Sequence, residues 1–374
     1  MKLLKLPQQR KRRFGFVDSF LWAVRIGALV FVVVGIFGIP GVAGGPEGSL
    51  FKTLSGEGVS GEAWRDLFIS GLAQGSMYGM IALGYSLVYG VLGFINFAHG
   101  EVFMSGALVS FFAADAFATA GIWESQPVLA LGFTILVAMA TSTIVAVLTE
   151  RIAYRRLRGS PRLIPLITSI GMSFFIRYTF RGLFGDSFKT YPAAPGVLEG
   201  RATIFGVEIL KTQLTVIVVT AVSMVVLYQF VARTRMGRAM RAIAEDREIA
   251  ALMGVNVDRV ISLTFAVGGA MAGIAGVLWA LLFRQVHFLT GFLPGIKGFT
   301  AAVVGGIGNM AGAYVGGLAI GLVESVGPLL VLDGWGIPAV SQLKDVVAFS
   351  ALVLVLIYRP TGLLGERLSV EERG

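Results

Sequence analysis

The sequence predicts an all-α polytopic integral membrane protein, on three observations. Of 374 residues, 55% are hydrophobic and only 14% are charged, where a soluble domain carries about 25% charged residues. Mean hydropathy is +0.79. Apolar runs of about 20 residues, the length a bilayer core demands of a helix, recur along the chain. The two-residue alternation of a barrel is absent, and in lipid every backbone amide needs an internal partner, which a helix supplies.

The apolar runs predict ten helices, at about 19–39, 66–92, 101–120, 127–149, 163–184, 212–231, 257–283, 296–308, 309–330 and 343–358. The first follows a basic N-terminus containing Lys2, Lys5, Arg10, Lys11, Arg12 and Arg13. That pattern, with small residues at Gly41 and Ala43, also fits a signal peptide. The length of the run, and Arg25 placed where it can snorkel, favour a retained span. The linker 40–65 is rich in Gly, Ser and Glu and reads as flexible and external. The eighth run is short, as a half-span would be. Three glycine ridges, Gly71–Gly75–Gly79, Gly269–Gly273–Gly276 and Gly308–Gly312–Gly316, predict close helix packing rather than ligand contacts.

Net charge is +9, and 20 of the 31 basic residues fall in four short segments. These are the N-terminus, then Arg151, Arg155, Arg156, Arg158 and Arg162, then six arginines in 233–259, then Arg359, Arg367 and Arg373. Alternating spans put all four on one face, which the positive-inside rule assigns to the cytoplasm. Loops 40–65, 121–126, 185–211, 284–295 and 331–342 fall on the other face. The basic segments flank spans and lack interleaved aromatics, so no nucleic-acid partner is predicted. The chain has no cysteine, which excludes disulfides, thiol chemistry and a cysteine metal site. Two histidines, His99 and His287, are too few for a histidine metal site. The dipeptide Gly-Lys never occurs, so the phosphate-cradling loop is missing. No catalytic constellation, cofactor site or metal site is expected. Energy for driven transport would enter from a partner.

The segment 233–259 is the most informative stretch. Gly237 and Gly254 bracket Arg238–Met253, a predicted helix of strong helix formers. Arg241, Glu245 and Glu248 fall on one stripe of it. Ala239, Ala242, Ile243, Ile249, Ala250 and Met253 form a broad arc opposite. Such a helix rests one face on the membrane domain and offers the other to a cytosolic partner; the plain alternative is a solvated connecting helix. Asp246 falls inside the apolar arc and needs a buried partner or a backbone cap.

A second feature is Gly93–Glu101, which sets Asn96, His99 and Glu101 between two apolar helices. A turn at the membrane surface explains it, and so does a helix break inside the membrane that lines a path. Asn309 sits in a comparable place between the eighth and ninth helices. Both asparagines are expected to mark helix ends facing the protein interior, with two ordinary turns as the plain alternative. His99 and Glu101 read as structural anchors rather than proton carriers. Arg177 and Arg181, one turn apart, are expected to snorkel to the outer interface, as is Arg284. Glu101 and Glu324 are the carboxylates that an ion-coupled transporter or channel would use.

Four segments carry a family resemblance: GYSLVYGVLGFINFAHGEVFMSGALVSF (84–111), RMGRAMRAIAEDREIAALMGVNVDRVISLTFAVGGAMAGIAGVL (235–278), GFTAAVVGGIGNMAGAYVGGLAIGLVES (298–325) and KDVVAFSALVLVLIYRPTGLLG (344–365). Over about 66–365 the chain resembles the permease subunits of bacterial branched-chain amino acid ABC importers, the LivH type. The resemblance implies a non-catalytic, multi-pass subunit of the bacterial inner membrane. It implies a second related permease, two ABC ATPase subunits and a periplasmic substrate-binding protein as partners. Leucine, isoleucine or valine is the implied substrate, with urea or a short amide as the alternative from closely related permeases. It makes 238–258 the ATPase-coupling element, with Arg241, Glu245, Asp246, Glu248 and Gly254 as coupling residues. Glu248, Ala250 and Gly254 keep the E-x-A-x-x-x-G spacing of importer coupling loops, but Ile249 replaces an alanine and the downstream proline is absent. Asn96, His99, Glu101 and Asn309 are candidates for the translocation path. The expected organisation is an added N-terminal span and linker (1–65), a permease domain (66–365) and a cytoplasmic tail (366–374).

Overall fold

A computed structural model of the protein describes residues 16–38, 48–50, 52, 59–161, 163–204 and 206–365. The basic N-terminal cluster, Gly41, Ala43, Arg162 and the tail from 366 lie outside the described residues. Among the described residues, nine helical segments are long and apolar enough to cross a membrane, and Phe292–Gly305 is a shorter tenth. We number the helices α1 (Phe16–Phe37), α2 (Gly61–Leu92), α3 (His99–Thr119), α4 (Pro127–Thr149), α5 (Leu163–Phe184), α6 (Lys211–Arg233), α7 (Arg235–Glu245), α8 (Arg247–Leu252), α9 (Val257–Phe283), α10 (Phe292–Gly305), α11 (Met310–Gly327) and α12 (Lys344–Tyr358). Among the described residues, four short strands form two antiparallel pairs: β1 (Lys189–Thr190) with β4 (Gln285–Val286), and β2 (Arg201–Ile204) with β3 (Val207–Leu210).

The chain divides into two compact units, one of Met1–Gly58 with Leu329–Val340 and one of Val59–Pro328 with Ser341–Gly374. In the first, the Phe31 ring stacks on Trp335 at 4.9 Å, and the Trp335 indole donates to the Phe31 carbonyl at 3.1 Å. The remaining α1 surface is largely exposed and apolar, with Phe20, Trp22, Ile26 and Leu29 outward.

The second unit is built around α2 and α9. In the most apolar window of each helix, 83% of α2 residues and 72% of α9 residues are buried, against 22% for α6 and 11% for the last span. α2 and α9 are therefore central, and α5, α6 and α12 present apolar sides outward. The ridges in α2 and α9 pack helices, as their spacing predicts, and of the third Gly312 and Gly316 meet α10 while Gly308 lies in the turn before α11. A Cβ built on Gly317 of α11 would lie 2.2 Å from the Gly79 backbone nitrogen, and one on Gly321 would lie 2.2 Å from the Gly75 Cα. Any side chain there pushes α2 and α11 apart. Gly269 and Gly273 of α9 meet the α4 backbone at Ser142 and Ala138 in the same way.

α2 begins earlier than its hydropathy indicates. Ser60 accepts from the Ala63 N–H and caps the helix, and Glu62 sits in its first turn, so 61–65 are helical rather than linker. On the side predicted to be external, Tyr191 is buried and donates to Ser110 at 3.2 Å. Burial raises the Tyr191 phenol above its ordinary pKa, and the hydrogen bond partly opposes that.

Candidate functional site: a buried ion pair, a charged cluster and a hinged helix pair

The Gly93–Ala98 segment is a helix break packed inside protein. Gly93 ends α2 in the left-handed region, with φ 73°. Asn96 is 3% exposed, and its Oδ1 accepts from the Ala98 N–H at 3.1 Å and the Tyr154 hydroxyl at 2.6 Å. Ser169 of α5 stitches the break down, accepting from the Phe97 N–H at 3.3 Å and sharing its one proton between the Leu166 carbonyl at 2.7 Å and the Ile95 carbonyl at 3.3 Å. The freed backbone is thus satisfied by side chains, as irregular backbone within a helix pack must be.

This break starts α3 beside α5 and α10. Gly100, Gly291 and Gly295 allow the approach: a Cβ on Gly100 would lie 2.6 Å from the Gly291 carbonyl oxygen and 2.9 Å from the Gly295 Cα. Glu101 follows and is 1% exposed. Arg177 of α5, 7% exposed, donates to Glu101 Oε1 from Nε at 3.0 Å and also from Nη2, and Ser173 donates to the same oxygen at 3.2 Å. The expected snorkelling of Arg177 is therefore wrong. A carboxylate from another helix holds the guanidinium, between the Phe174 and Phe292 rings at 5.3 and 5.0 Å. Arg181 and Arg284 are exposed, as expected.

The pair borders a cavity of about 340 Å³ lined by Tyr85, Phe97, Gly100, Ile170, Phe174, Phe292 and Ile296. His99 lies behind that wall. Its ring meets Tyr85 edge-on at 4.9 Å and fits against Gly84, where a Cβ would fall 2.1 Å from Nε2. Asn309 is elsewhere, at the α10–α11 turn. It is half-buried, caps α11 by accepting from the Gly312 N–H at 3.0 Å, and donates to the Leu364 carbonyl at 2.9 Å. Both asparagines thus mark helix ends tied into the protein, but Glu101 alone of the four path candidates borders the cavity.

Two charged clusters have pairings that the sequence alone does not show. Lys297 of α10 is 5% exposed, and its Nζ lies 2.7 Å from Glu324 and 2.7 Å from Asp345. Tyr78, Gln74, Trp279 and Lys344 line a second cavity of about 370 Å³ beside it. At the far end of α4, Glu150 is fully buried and accepts from Arg155 at 3.4 Å, from Ser262 at 2.6 Å and from Arg158, which also reaches Asp258. Apolar periodicity gives no hint of the pairings between helices, because Lys297 and Glu324 lie 27 residues apart and Glu150 and Ser262 lie 112 apart. The one signal legible in the sequence is a charge standing inside an apolar run, which Glu324 gives without naming its partner.

The basic segment after α6 forms two helices, not one. Asp246 adopts an extended conformation and its carboxylate accepts from the Glu248 and Ile249 N–H groups at 2.8 and 2.9 Å. The residue that broke the amphipathic pattern is the cap of α8, which separates it from α7. Gly254, with φ 84°, ends the pair in the left-handed region. Gly237, Met240, Ile243 and Ala250 face the protein. Ala242, Ile249 and Met253, expected on that face, are exposed. Ala242 lies beside a buried stripe of α7 narrower than the expected arc, made by Gly237, Met240 and Ile243, and Ile249 and Met253 follow the break at Asp246, which takes α8 out of register with α7. Arg241 is not free on the outer stripe: it donates to the Val231 and Ala232 carbonyls at the end of α6. Glu245 and Glu248 are exposed. The tip presents Ile249, Leu252 and Met253, which are 59%, 86% and 79% exposed.

The sequence profile of the branched-chain amino acid transport system permease component matches residues 67–356. The chain belongs to this family. It is 44% identical over 303 residues to the high-affinity branched-chain amino acid transport system permease protein BraD of Pseudomonas aeruginosa, covering 79% of this chain and 94% of that protein. It is 42% identical over 301 residues, with the same coverage, to the permease protein LivH of Escherichia coli strain K12. A more distant likeness, 33% over 114 residues and 28% of this chain, is to the fructose import permease protein FrcC of Rhizobium meliloti, of which it covers 31%. The chain is thus a multi-pass permease, and the break, both cavities and the hinged helix pair all fall inside the matched stretch. α1 falls outside it.

Proposed function

We propose that this permease forms the translocation path of a bacterial inner-membrane ABC importer for branched-chain amino acids. The observation that carries the proposal is the exposed tip Ile249–Leu252–Met253 on a capped, basic helix pair, in a chain of this family. Exposed apolar side chains rimmed by charge mark a protein contact. The bound partner is one of two ATPase subunits, whose closure on ATP pushes the α7–α8 pair. Glu245, Asp246, Glu248 and Gly254 shape that contact, and Arg241 ties it to α6. The movement reaches α9, which follows directly, and through it the helix pack. A second related permease completes the path, and a periplasmic binding protein delivers substrate. Hydrolysis belongs to the ATPases, and this chain contributes no catalytic group.

Asn96, His99, Glu101 and Asn309 serve the path differently. Asn96 and Asn309 fix the two helix ends, His99 supports the wall, and Glu101 borders the space itself. An ion-coupled carrier is the less favoured reading, because Glu101 and Glu324 are both committed to cations of the chain. The substrate rests on BraD and LivH. The partial likeness to a fructose permease is a reminder that one fold serves several cargoes.

The test is reconstitution of the complete importer in vesicles with its binding protein. ATP-dependent uptake of leucine, isoleucine and valine is expected. Uptake driven by a proton or sodium gradient without ATP would overturn the transport class. ATP-driven uptake of urea or acetamide in place of leucine would overturn the substrate.

A further inference from the structure

We propose that the Glu101–Arg177 pair recognises the α-ammonium and α-carboxylate of a zwitterionic amino acid in transit, with the adjoining cavity receiving its apolar side chain. The inference rests on the reading of the chain as an amino acid permease, and adds the site at which the cargo is held.

Three observations carry it. First, the pair is incompletely used. Arg177 engages Glu101 Oε1 through Nε and Nη2, and among the described residues its Nη1 donates to no protein acceptor. Glu101 Oε2 is buried and has no hydrogen-bond partner among the described residues. A buried carboxylate oxygen left open is costly, so it calls for a donor. An ammonium is such a donor, and a carboxylate is the natural acceptor for the free edge of a guanidinium. One zwitterion supplies both. Second, the space next to the pair is apolar. Phe97, Ile170, Phe174, Phe292 and Ile296 form its walls, and about 340 Å³ falls within the usual range for a small-molecule site. Third, the site is built rather than incidental. Gly100, Gly291 and Gly295 let α3 and α10 meet beside Glu101, and a Cβ on Gly291 would lie 2.9 Å from Glu101 Oε2.

The pairing predicts a selection rule. An aliphatic amino acid satisfies both charges and fills the cavity. The amide of that amino acid lacks the carboxylate, and the corresponding fatty acid lacks the ammonium. Each leaves one half of the pair unmatched and is rejected.

The chain has no cysteine, so one can be placed as a reporter. In the complete importer in nanodiscs, without binding protein, an Ile170→Cys variant is alkylated and the modification is read by mass on this chain. L-leucine at millimolar concentration should slow alkylation at least fivefold, while leucinamide and 4-methylpentanoate should not. Equal protection by all three, or none by leucine, overturns the proposal. A charge-free variant, Glu101→Leu with Arg177→Met, removes both halves and leaves neither charge stranded. It should assemble with the other subunits on gel filtration but lose at least tenfold in leucine uptake. Leucine transport equal to the unmodified importer would make the pair purely structural and overturn the proposal. Failure of the unmodified importer to carry leucine is a separate result, which would overturn the functional reading and this site with it.

Discussion

Lys297 and Glu324, on neighbouring helices α10 and α11, meet through Nζ and Oε1 at 2.7 Å, and the same ammonium reaches Asp345 at 2.7 Å. Lys297 and Glu324 are 5% and 3% exposed. Two buried charges therefore neutralise each other where three helices, α10, α11 and α12, converge.

Removing one member strands the other. Lys297→Met should destabilise the permease by about 3–5 kcal/mol, the usual cost of an uncompensated buried charge. The double variant Lys297→Met, Glu324→Met should recover most of that loss. Asp345 has a side chain 38% exposed, so Asp345→Asn should cost about 1 kcal/mol or less. Thermal unfolding of the complex in detergent orders the variants. An unchanged midpoint for Lys297→Met would mean that the pair contributes nothing to stability.

The coupling tip separates two kinds of contact. Glu245 and Glu248 are exposed, so reversing both to lysine should leave expression intact and uncouple ATP hydrolysis from uptake. Leu252→Asp should do the same more strongly, since an 86% exposed leucine contributes little to this chain's own fold. ATPase activity and uptake measured on the same vesicles decide it. Unchanged uptake in both variants would place the ATPase contact elsewhere.

Much of this was legible in the sequence, for a physical reason. A membrane helix announces itself by length and apolarity, so α4, α5 and α9 lie within a residue of their hydropathy limits. The glycine spacing in α2 likewise announced a close crossing, and the α11 glycines that meet it, Gly317 and Gly321, lie outside the ridge read at Gly308–Gly312–Gly316. The site was harder. Arg177 looked like a snorkelling residue because its partner Glu101 is 76 positions away, and no local pattern records a contact that only the folded pack makes. Asp246 stands out in the sequence as needing a buried partner or a backbone cap, and it is the cap of α8. That the cap would divide the helix, and turn Ile249 and Met253 outward, depends on backbone angles that helix propensity does not carry.

Asn309 joins two elements by hydrogen bonds at both ends of one amide. Its Oδ1 caps α11, and its amide nitrogen holds Leu364 against the end of α10. Asn309→Leu should cost about 1 kcal/mol through the lost cap and impair uptake several-fold without preventing assembly. Asn309→Asp keeps the cap but gives up the donor to Leu364, so it isolates the second bond. Normal transport by the leucine variant, with a normal complex on gel filtration, would leave this amide a packing role only.

Orientation is the remaining relationship that the whole scheme shares. The basic segments 151–162 and 233–259 are taken as cytoplasmic, and 185–211 as external. Ser187 is an exposed residue of that external loop, four positions before the buried Tyr191. Because the chain lacks cysteine, Ser187→Cys gives a single reporter on this subunit, and Ser160→Cys gives one between α4 and α5 on the opposite side. A membrane-impermeant maleimide applied to spheroplasts should label position 187 at once. Position 160 should label only after the cytoplasmic membrane is opened. The reverse order would turn the α7–α8 pair outward, away from ATP, and the coupling scheme would fail with it.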